Sequence, residues 1–342
     1  MKIAIIRLSA LGDIIISASA ISAIKTYFPH SEIHWYVDSR FAEILEKNQI
    51  TDKIFSIPLK TKLKKMQLFS LCKIIFHFRK IKYDLIIDMQ GLLKSSLLGK
   101  FLRGKTFIGF DKDSIKEPFA SFFYQYGVKI SYDSPILLRN ITLIYEALKI
   151  QDTFDNFYTK TLSLRNYVFT PSEEKKQMFQ QKLSLSLQQD QKYFLFILEA
   201  SIPSKTYSAK NFIALGKLLE NYPCKIFLLT HQNQTKAQEI FNAISVKSKV
   251  VLLPPLNLQE IKSLISSMDL VIGGDTGITH LAWALSRPSI TLYGNTPIKR
   301  FQLQGEKNFS LSGNKHSSYD KNDFSINLIS PESIYQIIKE RL

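Results

Sequence analysis

Apolar runs closed by polar or glycine turns alternate with stretches of helical spacing along most of the chain. KIAIIRL (Lys2–Leu8) reads as a buried strand, SALGD (Ser9–Asp13) as a turn, and a helix follows over about Ile14–Tyr27 until Pro29 stops it. Further strands are predicted at EIHWYVD (Glu32–Asp38), KIFSIPL (Lys53–Leu59), YDLIIDM (Tyr83–Met89) and TFIGF (Thr106–Phe110). Helices FAEILEK (Phe41–Lys47), the basic segment Lys60–Lys82 and Leu92–Leu102 separate them. Strands parted by helices of ~10–15 residues predict a parallel sheet covered on both faces.

A helix is expected from Ser134 to Ile150, and QDTFDNFYTKTLSLRNYVF reads as irregular, so a linker is placed at about 151–165. The pattern then restarts. Strands are predicted in KYFLFILEAS, CKIFLLTHQ, KVVLLP, DLVIGG and PSITLYG, the last of these taken as the final strand. Helices are predicted in SAKNFIALGKLLENYP, near Lys236–Ile244, in LQEIKSLISSM and in ITHLAWALS. The tail Pro331–Leu342 is assigned as a helix able to pack back on the first domain. The reading is α/β: two Rossmann-like domains, 1–160 and 161–330, with parallel sheets facing across a cleft. Such an architecture serves transferases, binding proteins and dehydrogenases alike, so it leaves function open.

Length agrees, since 342 residues exceed one ordinary core of about 100–200. No run approaches the roughly 18 apolar residues of a membrane-spanning helix. Arg7 and Asp13 interrupt the N-terminal apolar run, which reads as strand–turn–helix rather than a signal peptide and predicts a cytoplasmic protein. Cys72 and Cys224 stand alone in apolar stretches, and the six histidines show no metal-ligand spacing, so neither disulfide nor metal site is expected.

The net charge of +16 calls for an anionic partner. Lys60–Lys82 holds eight Lys or Arg, no acid, and interleaved apolar residues. That is the pattern of a basic amphipathic helix at an anionic membrane surface, or of an ordinary helix with a basic solvated face. No nucleic-acid-binding signature accompanies it.

The clearest chemistry lies where DLVIGG runs into Asp275-Thr276-Gly277 and a helix begins. Glycines admit close backbone approach, and a helix N-terminus favours anions, so a diphosphate fits. Thr276 or Thr279 can donate to it and Asp275 can accept from a sugar hydroxyl; a capped tight turn is the plainer alternative. His280 alone suits a packed helix residue. Lys205 leaves the domain's first strand at the same edge, with Ser201 or Ser204 as hydroxyl donors. In the first domain Asp13 is either a helix N-cap or a carboxylate base. Asp88, Gln90 and Lys94 leave the fourth strand there, and with Lys60, Lys62, Lys64, Arg103 and Lys116 they outline a basic bowl for an acidic acceptor. Asp111-Lys112-Asp113 is read as a chance DxD triplet, and no GxGxxG occurs.

MKIAIIRLSALGDIIISASAI, YDLIIDMQGLLKSSLL, IKEPFASFFY and GGDTGITHLAWAL resemble, in order and spacing, glycosyltransferase family 9, the ADP-heptose:lipopolysaccharide heptosyltransferases. QGLLKS and EPFASFFY are similar to the heptosyltransferase I branch, which acts on Kdo of the inner core. The resemblance implies a GT-B fold, an acceptor domain at 1–160 and an ADP-heptose domain at 161–330. It implies an inverting, metal- and cofactor-free transfer to Kdo-lipid A at the cytoplasmic face of the inner membrane. Asp13 aligns with the family's base. Lys205 aligns with its phosphate-binding lysine, and Asp275, Thr276, Gly277 and His280 with its donor motif. Ser201 keeps one of two paired hydroxyls, the other being Ala200. Lys94 matches an acceptor lysine and Lys116 replaces an arginine; Lys60, Lys64 and Gln90 of the basic bowl complete the acceptor contacts expected from the residues themselves. Asn233 or Gln234 stands where a ribose-contacting glutamate is usual. Competing readings are a transferase adding heptose to heptose and a non-catalytic sugar-nucleotide binder.

Overall fold

The computed structural model describes residues 1–341 apart from 47, 60–67, 183–190, 232, 245–248 and 318, and the backbone alone for 68–72. The chain forms two compact units, Met1–Phe169 and Thr170–Leu342.

The first unit is built on β1 (Lys2–Ile6), β2 (Glu32–Asp38), β3 (Lys53–Ile57), β4 (Lys82–Asp88), β5 (Arg103–Phe110) and β6 (Tyr126–Val128). All pair in parallel, in the order β3-β2-β1-β4-β5-β6. Ile5 lies between Trp35 and Ile87, and β1, apolar and buried from Ile3 to Ile6, is the sheet's centre. The second unit repeats the plan with β7 (Lys192–Ile197), β8 (Cys224–Leu229), β9 (Val250–Leu252), β10 (Leu270–Gly274), β11 (Ser289–Tyr293) and β12 (Asn308–Ser312). Its order is β12-β11-β10-β7-β8-β9, again parallel throughout. Each sheet therefore reverses direction of strand addition between its first and fourth strands, β1/β4 and β7/β10. Loops leaving the carboxyl ends of such a pair diverge to opposite faces and open a crevice for ligands.

Three expectations are corrected. The segment read as a linker contains the Phe154–Leu164 helix, capped by Thr153 accepting from Asn156 N–H at 3.2 Å. Phe157 is fully buried, and Ser22 Oγ donates to the Thr161 carbonyl at 2.8 Å, so the first unit runs on to Phe169 rather than ending at 160. The Pro331–Arg341 helix belongs to the second unit, where Ile334 and Ile338 are buried in the core against the Ala209–Leu218 helix. Finally, PSITLYG is not the last strand: β6 and β12, both edge strands, carry too few apolar residues to announce themselves.

Candidate functional site

In the second unit β10 runs buried beside β7 and passes through Asp275 and Thr276 into the Gly277–Ala284 helix. Gly274 admits no side chain, because a Cβ there would lie 1.9 Å from the Lys205 carbonyl oxygen. That approach brings the Pro203–Lys205 turn, which follows β7, onto the end of β10. Lys205 Nζ consequently meets Asp275 Oδ2 at 2.5 Å. His280 Nε2 lies 2.9 Å from Oδ1, and Thr296 Oγ1 donates to Oδ2 at 2.9 Å. Burial alone would raise the Asp275 carboxyl; the His280 bond and the Lys205 charge outweigh it and hold it well below the usual carboxylate range.

Thr276 is the N-cap, its Oγ1 accepting from Thr279 N–H at 3.4 Å, while Thr279 Oγ1 donates to the Gly274 carbonyl at 2.8 Å. The first N–H groups of the helix, at Gly277 and Ile278, have no acceptor within it. Asp275, which holds the Lys205 ammonium, directly precedes the Thr276 N-cap, and that charge and the helix N-terminus together suit an anion. Ser201 is exposed in the same loop. Ser204 is not available there: it is buried and accepts from Asn295 Nδ2 at 3.0 Å. Lys236 ties both ends of this loop, donating to the Leu198 carbonyl at 2.9 Å and the Tyr207 carbonyl at 2.6 Å. Its burial lowers the ammonium pKa to about 8. Asn233 is engaged as a helix cap for Lys236 N–H, and a carboxylate does reach its loop, because Glu199 accepts from Asn233 N–H at 2.6 Å.

In the first unit the charge that breaks the apolar run of β1 has a partner. Arg7, buried, donates to the Met89 carbonyl and meets Asp13 Oδ2 at 3.0 Å. Asp13 is not the N-cap of the Leu11–Ala20 helix. Ala10 holds that position, and Asp13, at the third helical residue, accepts from Ala10 N–H at 3.2 Å. Ser9 Oγ joins the far side of the crevice, accepting from Lys94 Nζ at 3.1 Å and Gln90 Nε2 at 3.4 Å. Gln90 Oε1 in turn accepts from Leu8 N–H at 2.8 Å. Asp13, Ser9, Gln90 and Lys94 thus share the β1/β4 edge.

Asp88 does not face this edge as a binding group. It is fully buried, accepting from Gln90 N–H, Ser95 Oγ and Tyr124 OH, each at 2.8 Å. Burial pushes its carboxyl up, against those bonds, which pull it down. Its role is to build the turn that presents Gln90. Glu117 accepts from Leu93 N–H at 2.8 Å, so the QGLLKS and EPFASFFY segments are two halves of one substructure, with exposed Lys116 beside the Lys94 helix. Arg103 opens β5 at the amino-end edge of the sheet, away from the others. Lys60, Lys62 and Lys64 lie outside the described residues. Sequence reasoning missed Arg7 as a partner of Asp13, though a charge closing a buried apolar run was a signal; Thr296 gave none.

The pattern of glycosyltransferase family 9 (heptosyltransferase) matches residues 72–326. The chain belongs to glycosyltransferase family 9. This glycosyltransferase is 37% identical over 352 aligned positions to lipopolysaccharide heptosyltransferase 1 of Campylobacter coli, covering 99% of this chain and 98% of that one. It superimposes on the E. coli heptosyltransferase WaaC solved with ADP at a TM-score of 0.80, with 21% identity and both chains fully covered. E. coli ADP-heptose lps heptosyltransferase II gives a TM-score of 0.77 at 19% identity, covering 99% of this chain and 98% of that one. The glycosyltransferase therefore has the α/β fold of the GT-B class. The fold does not separate the two kinds of heptosyltransferase, whereas the sequence sides with the first.

Proposed function

We propose that the chain moves heptose from ADP-heptose to a Kdo hydroxyl of Kdo-lipid A, with inversion and without a metal. The observation that carries this reading is the ion pair of Lys205 with Asp275, directly before the N-cap of the Gly277–Ala284 helix at the β7/β10 edge. Positive charge and unpaired N–H groups there suit a diphosphate both bound and departing. Asp275, engaged by Lys205, His280 and Thr296, positions the lysine; Ser201, Thr276 and Gly277 complete the donor's phosphate contacts. Among the described residues no cluster of His, Cys, Asp or Glu has the makings of a metal site.

The reaction is a single displacement. Asp13 accepts the proton of the Kdo hydroxyl as its oxygen bonds to the heptose anomeric carbon, and the bond from that carbon to the diphosphate oxygen breaks. ADP leaves from the opposite face, which inverts the centre, and the proton passes later to solvent. Arg7 aims Asp13; Gln90, Lys94, Lys116, Lys60 and Lys64 contact the acidic acceptor. Asn233 being a cap, Glu199, whose carboxylate accepts from Asn233 N–H, takes the place of the usual ribose-contacting glutamate.

The enzyme works at the cytoplasmic face of the inner membrane, held to its anionic surface by the Lys60–Lys82 segment. Among the described residues no helix is long and apolar enough to cross a membrane. The test is transfer from ADP-heptose in excess chelator, with Kdo-lipid A and with an already heptosylated acceptor compared. Transfer to the first is expected. Preference for the heptosylated acceptor, or loss of activity in chelator that magnesium or manganese restores, would overturn the reading; the latter would return attention to Asp111 and Asp113.

A further inference from the structure

The Leu93–Phe101 helix has a face that its own unit does not cover. Leu93, Leu97 and Phe101 recur every four residues, share one side of the helix, and are 39%, 43% and 49% exposed. Against this helix packs the Pro118–Phe123 turn, fastened by Glu117 to Leu93 N–H and by Tyr124 to Asp88. The turn points Ala120 and Phe123 inward and leaves Phe119 and Phe122 outward, 67% and 77% exposed, their rings 5.9 Å apart. Single exposed apolar side chains are ordinary; five on one rigid platform mark an interaction surface.

Charge indicates what covers it. Residues 93–129 hold seven Lys or Arg against three Asp or Glu, and Lys94, Lys100 and Lys116, all exposed, neighbour the apolar residues. The Leu68–Phe78 helix, from the most basic stretch of the chain, touches the Leu93–Phe101 helix and adds an exposed Phe76. Aromatic rings rimmed by lysines match the boundary between acyl chains and anionic headgroups, where each finds its own solvent. We propose that this platform, tipped by Phe119 and Phe122, inserts into the headgroup–acyl boundary of an anionic bilayer. The basic segment attracts the surface; the phenylalanines enter it. The inference shares the bilayer with the proposed function but not the reaction, so vesicle binding tests it whatever the turnover assay finds.

The chain's two tryptophans, Trp35 and Trp283, are buried out of reach of lipid, so the change in emission of Phe122→Trp on adding vesicles reports position 122. It is mixed with phosphatidylcholine–phosphatidylglycerol vesicles carrying brominated acyl chains. Its emission is expected to shift to the blue and be quenched, and to change little with phosphatidylcholine alone. In cosedimentation Phe119→Ser with Phe122→Ser lowers vesicle affinity at least about tenfold while ADP affinity is kept. Lys62→Gln, Lys64→Gln and Lys65→Gln together weaken binding, yet the fraction still bound is quenched. Vesicle binding with an unshifted, unquenched Trp at position 122 overturns the proposal, as does quenching seen only when Kdo-lipid A is in the vesicle. A concentration-dependent dimer abolished by the two serine substitutions would give the surface to a second copy and overturn it too.

Discussion

Arg7 and Asp13 form a 3.0 Å ion pair in which the arginine is buried and the carboxylate stays one-third exposed. The arginine also donates to the Met89 carbonyl, so the end of β4 fixes the direction in which Asp13 points. Methionine at position 7 keeps much of the volume and removes the fork. Arg7→Met is expected to lower turnover by up to about 100-fold, as misplacement of a reacting group does. ADP affinity stays unchanged, and Arg7→Lys restores part of the loss. A variant that loses ADP affinity equally would show that Arg7 supports the fold rather than the base.

Lys205 lies where the donor's diphosphate is proposed to sit. Lys205→Ala should weaken ADP binding and ADP-heptose use by about 10–100-fold, the loss of one charge-assisted contact of ~1.5–3 kcal/mol. Calorimetric titration with ADP reads the first quantity and initial rates the second. Unchanged affinity would put the diphosphate elsewhere.

Gly274 is the point at which backbone meets backbone. In Gly274→Ala the new methyl would stand 1.9 Å from the Lys205 carbonyl oxygen, so the turn must move away. A cost of about 1–3 kcal/mol to the second unit is expected from such overpacking. ADP affinity falls with it, because the turn carries Lys205. Alanine tolerated with full ADP affinity would mean that the contact is not needed.

Asp275 gives a pH dependence with a definite sign. Its folded carboxyl is held below the ordinary value of 3.8, so its stabilising effect is complete above that value and is lost as pH falls below it. Asp275→Asn, which breaks a buried pair, should cost about 3 kcal/mol near neutrality. The difference from the parent chain should be flat from about pH 5 to 7 and shrink below about pH 4. Urea unfolding followed by Trp283 emission, in a Trp35→Phe background, reads the second unit directly. A difference that shrinks already between pH 7 and 5 would contradict the Lys205–Asp275–His280 arrangement.

The parallel centre of each sheet was legible because β1, β4, β7 and β10 are nearly continuous apolar runs that only two-sided burial explains. β12 was not, since Asn308–Ser312 alternates polar residues at an edge where burial is partial. The Phe154–Leu164 helix escaped notice because Phe157 and Thr161 are its only buried positions. In the candidate site the glycine turn and Lys205 could be read from local spacing. Asp88 was misplaced for a different reason. Whether a carboxylate after a strand faces ligand or core depends on Tyr124, 36 residues later, which no local pattern reveals. The same holds for Thr296, which joins Asp275 from the loop after β11.

Asp13 is proposed to take the acceptor's proton. Asp13→Asn keeps the size of the side chain and its acceptor bond from Ala10 N–H while removing the charge, so it separates a base from a structural residue. The measurement is single-turnover transfer from ADP-heptose to Kdo-lipid A, with ADP affinity and thermal unfolding taken on the same preparation. Turnover should fall by at least about 100-fold, the usual cost of losing general-base catalysis, with ADP affinity unchanged and stability lowered only as far as loss of the Arg7 ion pair requires. Near-normal turnover in Asp13→Asn would contradict the account and leave Asp13 as a partner of Arg7 alone.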